Sequence, residues 1–388
     1  MKRTADVIVI GGGCMGASVA YHLTRRGITD VVVLEREKML GTGSTGRNAG
    51  GVRHQFSNEA NIRLSLESIR LLEHFTEEVG HPIDFHQDGY LFLLSSERSV
   101  ETFRRNVSLQ RSLGVDVEWL DAAGVERLAP GVNTAGVIGA TFCARDGIAD
   151  PNGVTMGFVK SAQAAGAAFE KDVEVTGIRV RADRVAGVDT ARGPIDAPVV
   201  VNAAGPWARQ IGRMAGVDVP VDPIRRHIFI AAHDGAASER PAVPSSHIMV
   251  IDFETTFYFH REGAGTLFGM GDKAETPTFD ATVQWDFLPQ VIDVAVTRLP
   301  ALATASISHA WAGLYEMSPD GNPIIGPVKA VHGLFLINGF SGHGFQHSPA
   351  AGRILADRIA GRDPGIDCTP FELARFAKET VAGERYVV

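Results

Sequence analysis

Four apolar residues in a row, Val7–Ile10, follow a polar start, and an unbroken run of that length predicts a strand covered on both faces. Gly11–Gly13 then forces a tight turn. Met15–Arg26 carries Ala17, Val19, Ala20 and Leu23 at helical spacing, and Gly27 stands where a helix stops. Val31–Leu34 is a second buried strand, so the opening reads strand–helix–strand. Ile62–Val79 predicts a long amphipathic helix through Ile62, Leu66, Ile69, Leu72 and Phe75. From about 82 to 140 the texture changes to short strands (Gly89–Leu94) and a charged helix (Glu97–Leu113). Ala149–Ala164 returns to a helical pattern and Val173–Val188 to a strand pair. Val199–Asn202 is another buried strand leading to a helix from Pro206. Residues 220–310 are strand-rich, and Leu334–Asn338 precedes a glycine-rich turn and a helix over Ser348–Ala360.

No internal repeat or low-complexity linker interrupts this order. The pattern predicts an α/β protein: a discontinuous Rossmann-like domain (1–81, 141–219 and 311–388) and a second α+β domain (82–140 and 220–310). The second would be built on a large mixed, mostly antiparallel sheet.

Composition narrows the classes. The chain has 388 residues, 45% apolar and 21% charged, ordinary for a soluble globular protein with ample core. A formal charge of −8 without runs of Lys or Arg argues against a nucleic-acid surface and against adhesion to an anionic membrane. No apolar stretch approaches the roughly 20 residues needed to span a bilayer. Residues 1–14 resemble a signal segment superficially, but Val7–Ile10 is too short and Asp6 blocks its extension. Cys14, Cys143 and Cys368 are scattered, which suits a reducing cytoplasm and supports neither a disulfide framework nor a metal site.

Gly11-Gly12-Gly13-Cys14-Met15-Gly16 fits G-x-G-x-x-G. Gly11 permits the turn, Gly13 lets a diphosphate approach the backbone, and Gly16 lets helix and strand pack closely. The helix start offers unpaired N–H groups to phosphate. Glu35, 19 residues after Gly16 at the end of the second strand, is placed to accept hydrogen bonds from ribose hydroxyls. Glu35 disfavours a 2′-phosphate, and so NADP. This physics leaves NAD and FAD nearly tied.

Three further segments break the tie. Gly43-Ser44-Thr45-Gly46-Arg47-Asn48-Ala49-Gly50-Gly51 follows Glu35, Val201–Trp207 comes later, and Asn338–Gln346 lies near the end. With the opening motif, and in this order over nearly the full length, they resemble the D-amino-acid-oxidase superfamily of flavoproteins. Within it the resemblance is to the sarcosine oxidase, dimethylglycine dehydrogenase and amino-acid dehydrogenase branch. It implies FAD on a Rossmann-like domain beside a substrate domain with a large mixed sheet. Glu35, with Arg36 beside it, would hold the adenosine ribose. Ser44, Thr45 and Gly46, with Arg47, Asn48 and Gly50, would lie along the diphosphate and flavin. Val173 would contact adenine through its backbone, and Met15, Ala204, Gly205, Trp207 and Gly313 would border the cofactor. Gly342, His343, Gly344, Phe345 and Gln346 would face the flavin pyrimidine ring, where a helix N-terminus stabilises the charge of reduced flavin. Arg53 would pair with a substrate carboxylate, a contact that suits a guanidinium.

The chain departs from that pattern in three ways. Neither a His near Arg47 nor a Cys at Gly313 is available to attach FAD, so the cofactor is expected to be non-covalent. Gln346 stands where monomeric sarcosine oxidase has a second cation for the carboxylate. Leu267 aligns with an oxygen-activating lysine, which favours a dehydrogenase unless Lys273 fills that role.

The expected reaction is oxidation of the C–N bond of an N-alkyl or secondary amino acid of the sarcosine, dimethylglycine or proline kind. A hydride passes to flavin N5, and the imine is hydrolysed. Pocket candidates are His54, Tyr258, His260, Tyr315, His343 and Gln346, with His343 and Tyr315 foremost because they adjoin flavin-facing motifs. The expected acceptor is oxygen, a quinone or a redox protein. Two other readings stand: a 2-hydroxy-acid or glycerol-phosphate dehydrogenase, and a flavin-bearing subunit or assembly factor of a larger complex. The chain could act as a homo-oligomer or as one subunit of a hetero-oligomer.

Overall fold

A computed structural model describes residues 2–232, 246–377 and 383–384. The opening apolar run forms the strand Val7–Ile10, every residue of it buried. It pairs in parallel with Val31–Leu34 on one side and Val199–Asn202 on the other. Leu334–Asn338 and Ala168–Glu170 extend this parallel sheet, and Ile324–Pro327 adds an antiparallel edge to make six strands.

Alternation within Val7–Ile10 and Val31–Leu34 shows why these two strands contain no polar position. Val7, Val9, Val31 and Val33 pack against the helices Cys14–Arg25, Pro151–Ala164 and Gly344–Ile359. Ile8, Ile10, Val32 and Leu34 pack on the other face, against a three-stranded sheet (Val175–Arg181, Arg184–Thr190, Ile195–Asp196) and the helix Ala208–Met214. Each face buries its own set of side chains, so a polar residue at any of these positions would be desolvated without a partner.

The second sheet has eight strands in the order Ser306–Met317, Asp222–Ala232, Gly265–Met270, Phe257–Glu262, Met249–Asp252, Tyr90–Leu94, Gly139–Cys143 and Glu118–Leu120. All its pairings are antiparallel except that of Met249–Asp252 with Tyr90–Leu94, so the mixed, mostly antiparallel sheet expected from the sequence is present. One face is closed by the helices Ala122–Leu128 and Leu288–Arg298 over Phe229, Phe257, Phe259 and Phe268. The boundaries expected at 140/141 and 310/311 fall inside the strands Gly139–Cys143 and Ser306–Met317. Residues 1, 233–245, 378–382 and 385–388 of the expected ranges lie outside the described residues.

Two expected helices differ. The one expected over 62–79 begins at Glu59, capped by Asn58 accepting from Asn61 N–H, and breaks at His74 into Glu59–Glu73 and Phe75–Val79. The last helix starts at Gly344, not Ser348. Ser-Pro resembles a helix start because proline favours the first turn. Here Pro349 lies within the helix, and Ser348 Oγ donates to the Phe345 carbonyl (2.8 Å), the acceptor that the missing Pro349 N–H leaves open. Among the described residues no helix is long and apolar enough to cross a membrane.

Candidate cofactor and substrate site

The carboxyl ends of the parallel strands and one face of the eight-stranded sheet enclose a cavity of about 800 Å³. In doubly wound sheets this is where ligands bind. Gly11 turns there with φ +113°, and a Cβ on it would stand 2.3 Å from the Ala203 carbonyl oxygen. A Cβ on Gly16 would stand 1.9 Å from the Gly11 carbonyl oxygen. Only glycine builds this turn. The helix Cys14–Arg25 starts from Gly13 without a side-chain cap, leaving the positive end of its dipole at the cavity; Thr45 Oγ1 meets only the Cys14 N–H (3.1 Å). The helix Gly344–Ile359 likewise starts uncapped at His343, on the same cavity.

Glu35 accepts from Gly12 N–H (2.7 Å) and from Glu37 N–H (2.9 Å), one bond to each oxygen. These bonds fix the carboxylate and leave each oxygen able to accept again, as sugar hydroxyls require. Val173 N–H donates to the Glu35 carbonyl (2.9 Å), so only the Val173 carbonyl could serve a ligand. Arg36 lies 3.7 Å above the Trp207 ring, which stacks on Phe279. A dinucleotide's ribose and diphosphate fit this set of donors and acceptors.

Beyond the diphosphate region a short 3₁₀ helix, Ser44–Arg47, is bonded to the strand Ser306–Met317. Ser44 Oγ donates to the Leu314 carbonyl (2.6 Å), Arg47 to the Ala312 carbonyl (2.9 Å), and Trp311 Nε1 to the Arg47 carbonyl (3.0 Å). Asn48 closes the loop by donating to the Thr45 carbonyl and accepting from Gly50 N–H. A Cβ on Gly313 would stand 3.1 Å from Arg47 Cβ, so the two positions at which a covalent link was considered face each other.

At the far end Arg53 is buried, its guanidinium 3.9 Å from the Phe56 ring, with Nη1 donating to the Gln55 carbonyl. Arg53 N–H donates to Gln346 Oε1 (2.6 Å), tying the segment to the last helix. His54 and Gln55 are held by one buried carboxylate: Asp146 accepts from His54 N–H (2.7 Å), from the His54 ring (2.6 Å) and from Gln55 Nε2 (3.1 Å). Tyr90, Tyr258 and Tyr315 line the same end, and burial pushes all three phenols up, so each is a neutral donor. His343 is buried with neither ring nitrogen hydrogen-bonded; burial, then His347 and Arg53, hold it well below the usual imidazole range. His347, behind it, bonds to Ser65 Oγ (2.8 Å) and is held down to about 3 by burial and by Arg53.

Glu316 also lines the cavity, accepting from Gly339 N–H (3.1 Å), and burial raises it to about 7. The folded chain thus keeps a proton that the unfolded chain releases above about 4.5, and this group costs stability progressively as pH rises from about 4.5 to about 7. Glu316→Gln is therefore expected to make the flavin-free protein more stable than the parent at pH 8, by about 1–2 kcal/mol after allowing for partial solvent access. Thermal melts should show the gap closing at pH 5. A gap independent of pH would rule this account out.

Most residues expected at the site line the cavity together, including Arg53, Tyr315, His343 and Gln346. Gly16, Gly46 and Gly50 do not. They shape it from behind, packed against the carbonyls of Gly11, Gly41 and Ala149. His54 is committed to Asp146, and His260 to the carbonyls of Arg261 (2.7 Å) and Ala49 (3.1 Å), so neither pocket candidate faces the cavity. Leu267 is buried opposite Ile230 and His260, and Lys273 is exposed, donating to the Glu254 carbonyl; neither lines the cavity. His54, Cys143 and Asp146 come together despite the scattered cysteines, but burial and Asp146 hold the Cys143 thiol protonated, a poor metal ligand. Tyr90, Arg226 and Glu316 line the cavity and were not foreseen. Strand register delivers Tyr90 and Arg226.

The family model described as FAD dependent oxidoreductase, DAO, matches residues 6–358. Mitochondrial sarcosine dehydrogenase of Mus musculus is 31% identical over 404 residues, covering 100% of this chain and 43% of the mouse protein. The chain thus spans less than half the length of that relative. FAD-dependent oxidoreductase domain-containing protein 1 of Xenopus laevis is 31% identical over 434 residues, covering 99% of this chain and 85% of that protein. Among solved structures, L-proline dehydrogenase from P. horikoshii superposes with a TM-score of 0.90 at 33% identity, covering 98% of this chain and 100% of that one. Agreement over most of the sequence and nearly all of the shape settles the family: this chain belongs to the DAO family of FAD-dependent oxidoreductases.

Proposed function

We propose that the chain oxidises the C–N bond of an N-alkyl or secondary amino acid, with FAD bound non-covalently. The observation that carries this reading is the charge at the Arg53 end of the cavity. The described acids lining the cavity are Glu35, Glu37, Asp172, Glu174 and Glu316. The first four cluster at the Glu35 end, and Glu316 is held protonated below about 7. The Arg53 end thus presents two guanidiniums, Arg53 and Arg226, with neutral phenols and the neutral imidazole of His343.

Such a field attracts a carboxylate and disfavours an ammonium, so a bound amino acid gives up its amine proton and keeps the lone pair that oxidation needs. Arg53 holds the carboxylate, the Gln346 side chain fixes Arg53's backbone, Phe56 packs against the Arg53 guanidinium, and Tyr315 keeps water from the reacting carbon. FAD, when bound, supplies the acceptor for the hydride leaving that carbon. The substrate's nitrogen lone pair becomes the second bond of an imine, and water splits the imine into an amine and a carbonyl compound. A 2-hydroxy acid needs a base for its hydroxyl proton instead. His343, with both ring nitrogens unpartnered, is positioned for that alternative, but its depressed basicity makes it a poor base at neutral pH.

Two relatives point the same way: the mouse protein is named for sarcosine and the archaeal structure for L-proline, an N-methyl and a cyclic secondary amino acid. The third reading, a flavin-bearing subunit or assembly factor, finds no comparable feature in the cavity. With Leu267 and Lys273 both away from the cavity, Lys38, beside Glu35, is the one lysine lining it among the described residues, which favours a dehydrogenase over an oxidase. The three buried, unpaired cysteines suit the reducing cytoplasm proposed for it.

Anaerobic titration of the yellow holoprotein tests this. Sarcosine, dimethylglycine or proline is expected to bleach the flavin band and lactate or glycerol phosphate to leave it unchanged, with acid precipitation releasing all colour to the supernatant. Bleaching by hydroxy acids alone, abolished by His343→Asn, would replace this reading with its rival.

A further inference from the structure

Arg226 stands at the substrate end of the cavity without a counter-ion among the described residues. Its neighbour Arg225 points to the opposite face of the strand and is paired with Glu275 (2.8 Å) and Asp280 (2.9 Å). Among the described residues the Arg226 side chain makes one hydrogen bond, from Nη1 to the Arg225 carbonyl (3.0 Å). Its Nε is buried with no partner, and no described carboxylate lies within 4.0 Å of it. A buried guanidinium nitrogen left unbonded is costly, and a carboxylate is a ligand that satisfies it.

The surroundings leave room for one. Across the ladder from Arg226 stands Gly313, which contributes no side chain. On the other flank lies Gly271, where an added Cβ would be 3.7 Å from Arg226 Nε. The Tyr315 ring stacks beneath, 5.1 Å from the guanidinium carbon. Tyr258 and His227 are the other titratable groups within its field; the first is a neutral phenol, and the ring of the second accepts from Gln284 N–H on the far side of the strand. Arg53 and Arg226 both act on Tyr315, so the two guanidiniums lie near one phenol at this end of the cavity.

We propose that Arg226 anchors a second carboxylate, so that the preferred substrate is a secondary amine bearing two carboxylates, one directed to Arg53 and the other to Arg226. This rests on the amino-acid reading above and adds its substrate class. The structure assigns Arg226 a specificity role, with Tyr315 beside it.

Two thioether analogues that lack the nitrogen separate the claims: thiodiacetate, with two carboxylates, and methylthioacetate, with one. Titrated into the holoprotein and followed by the shift of the flavin's visible spectrum, thiodiacetate is expected to bind about tenfold tighter or more. Arg226→Gln is expected to abolish that preference and Arg226→Lys to retain part of it, with flavin content reporting that both variants fold. No preference in the parent protein, or an undiminished preference in Arg226→Gln, overturns the proposal. A preference for the dianion with no bleaching by iminodiacetate or sarcosine keeps the anchor and sinks the amine reading instead.

Discussion

Gly16→Ala is expected to yield protein that is nearly colourless. The added methyl would lie 1.9 Å from the Gly11 carbonyl oxygen, a backbone atom that cannot swing aside. Gly11 is fixed by its N–H to the Leu34 carbonyl (2.9 Å), and the next strand by Ala203 N–H to the Ile10 carbonyl (2.9 Å). Relief requires the first helix to lift from the first strand, which misaligns the helix end that faces the diphosphate and costs about 3 kcal/mol or more. The ratio of flavin to protein absorbance in purified material should fall to roughly a tenth or less of the parent value, a loss on the scale of the contacts removed. Gly27→Ala supplies the control. Gly27 has φ +84° but nothing within 4 Å of an added Cβ, so this change should cost only about 1 kcal/mol and keep the flavin. Equal flavin content in the two variants would refute the account of the turn.

The second large effect is expected at Arg53. Arg53→Lys preserves the charge but not the planar fork, and is expected to slow bleaching by an amino-acid substrate about 100-fold or more, some 2.7 kcal/mol in the barrier. Arg53→Gln should lose more, since it also removes the field that favours the neutral amine. Flavin content should change little in either, because Arg53's bonds run to Gln55 and Gln346 and its ring contacts to Phe56 and Phe92. Rapid anaerobic mixing measures the rate. Bleaching by Arg53→Gln within a few-fold of the parent would leave Arg53 a purely structural residue.

What the sequence disclosed follows from how locally each feature is encoded. The glycine turn, the helix after it and Glu35 lie within one strand–helix–strand unit, where spacing alone dictates geometry. Gly342–Gln346 was recognisable only through resemblance, because a glycine-rich turn before a helix has many uses. Its helix start was misplaced because Ser348-Pro349 imitates one. Arg226 was hidden for a different reason. In Ile224-Arg225-Arg226-His227 two cations sit side by side, and only the sheet's facing decides which meets Glu275 and which meets the cavity. His54 reads as a pocket residue in the sequence because its partner, Asp146, is 92 positions away. The helix break at His74 left no mark in an apolar stripe that continues smoothly through Phe75.

The order of strands has a consequence for how this protein is made. The strand Val7–Ile10, made before its partners, pairs with Val199–Asn202, which in turn pairs with Leu334–Asn338. The second open helix end, at Gly344, emerges later still. At roughly 5–20 residues per second of synthesis, the opening glycine turn waits on the order of tens of seconds for its distant neighbours. Neither half of the nucleotide's cradle exists without the other, so cofactor loading waits until the helix from Gly344 has been made, and translation stalled before residue 344 would release a chain unable to retain flavin.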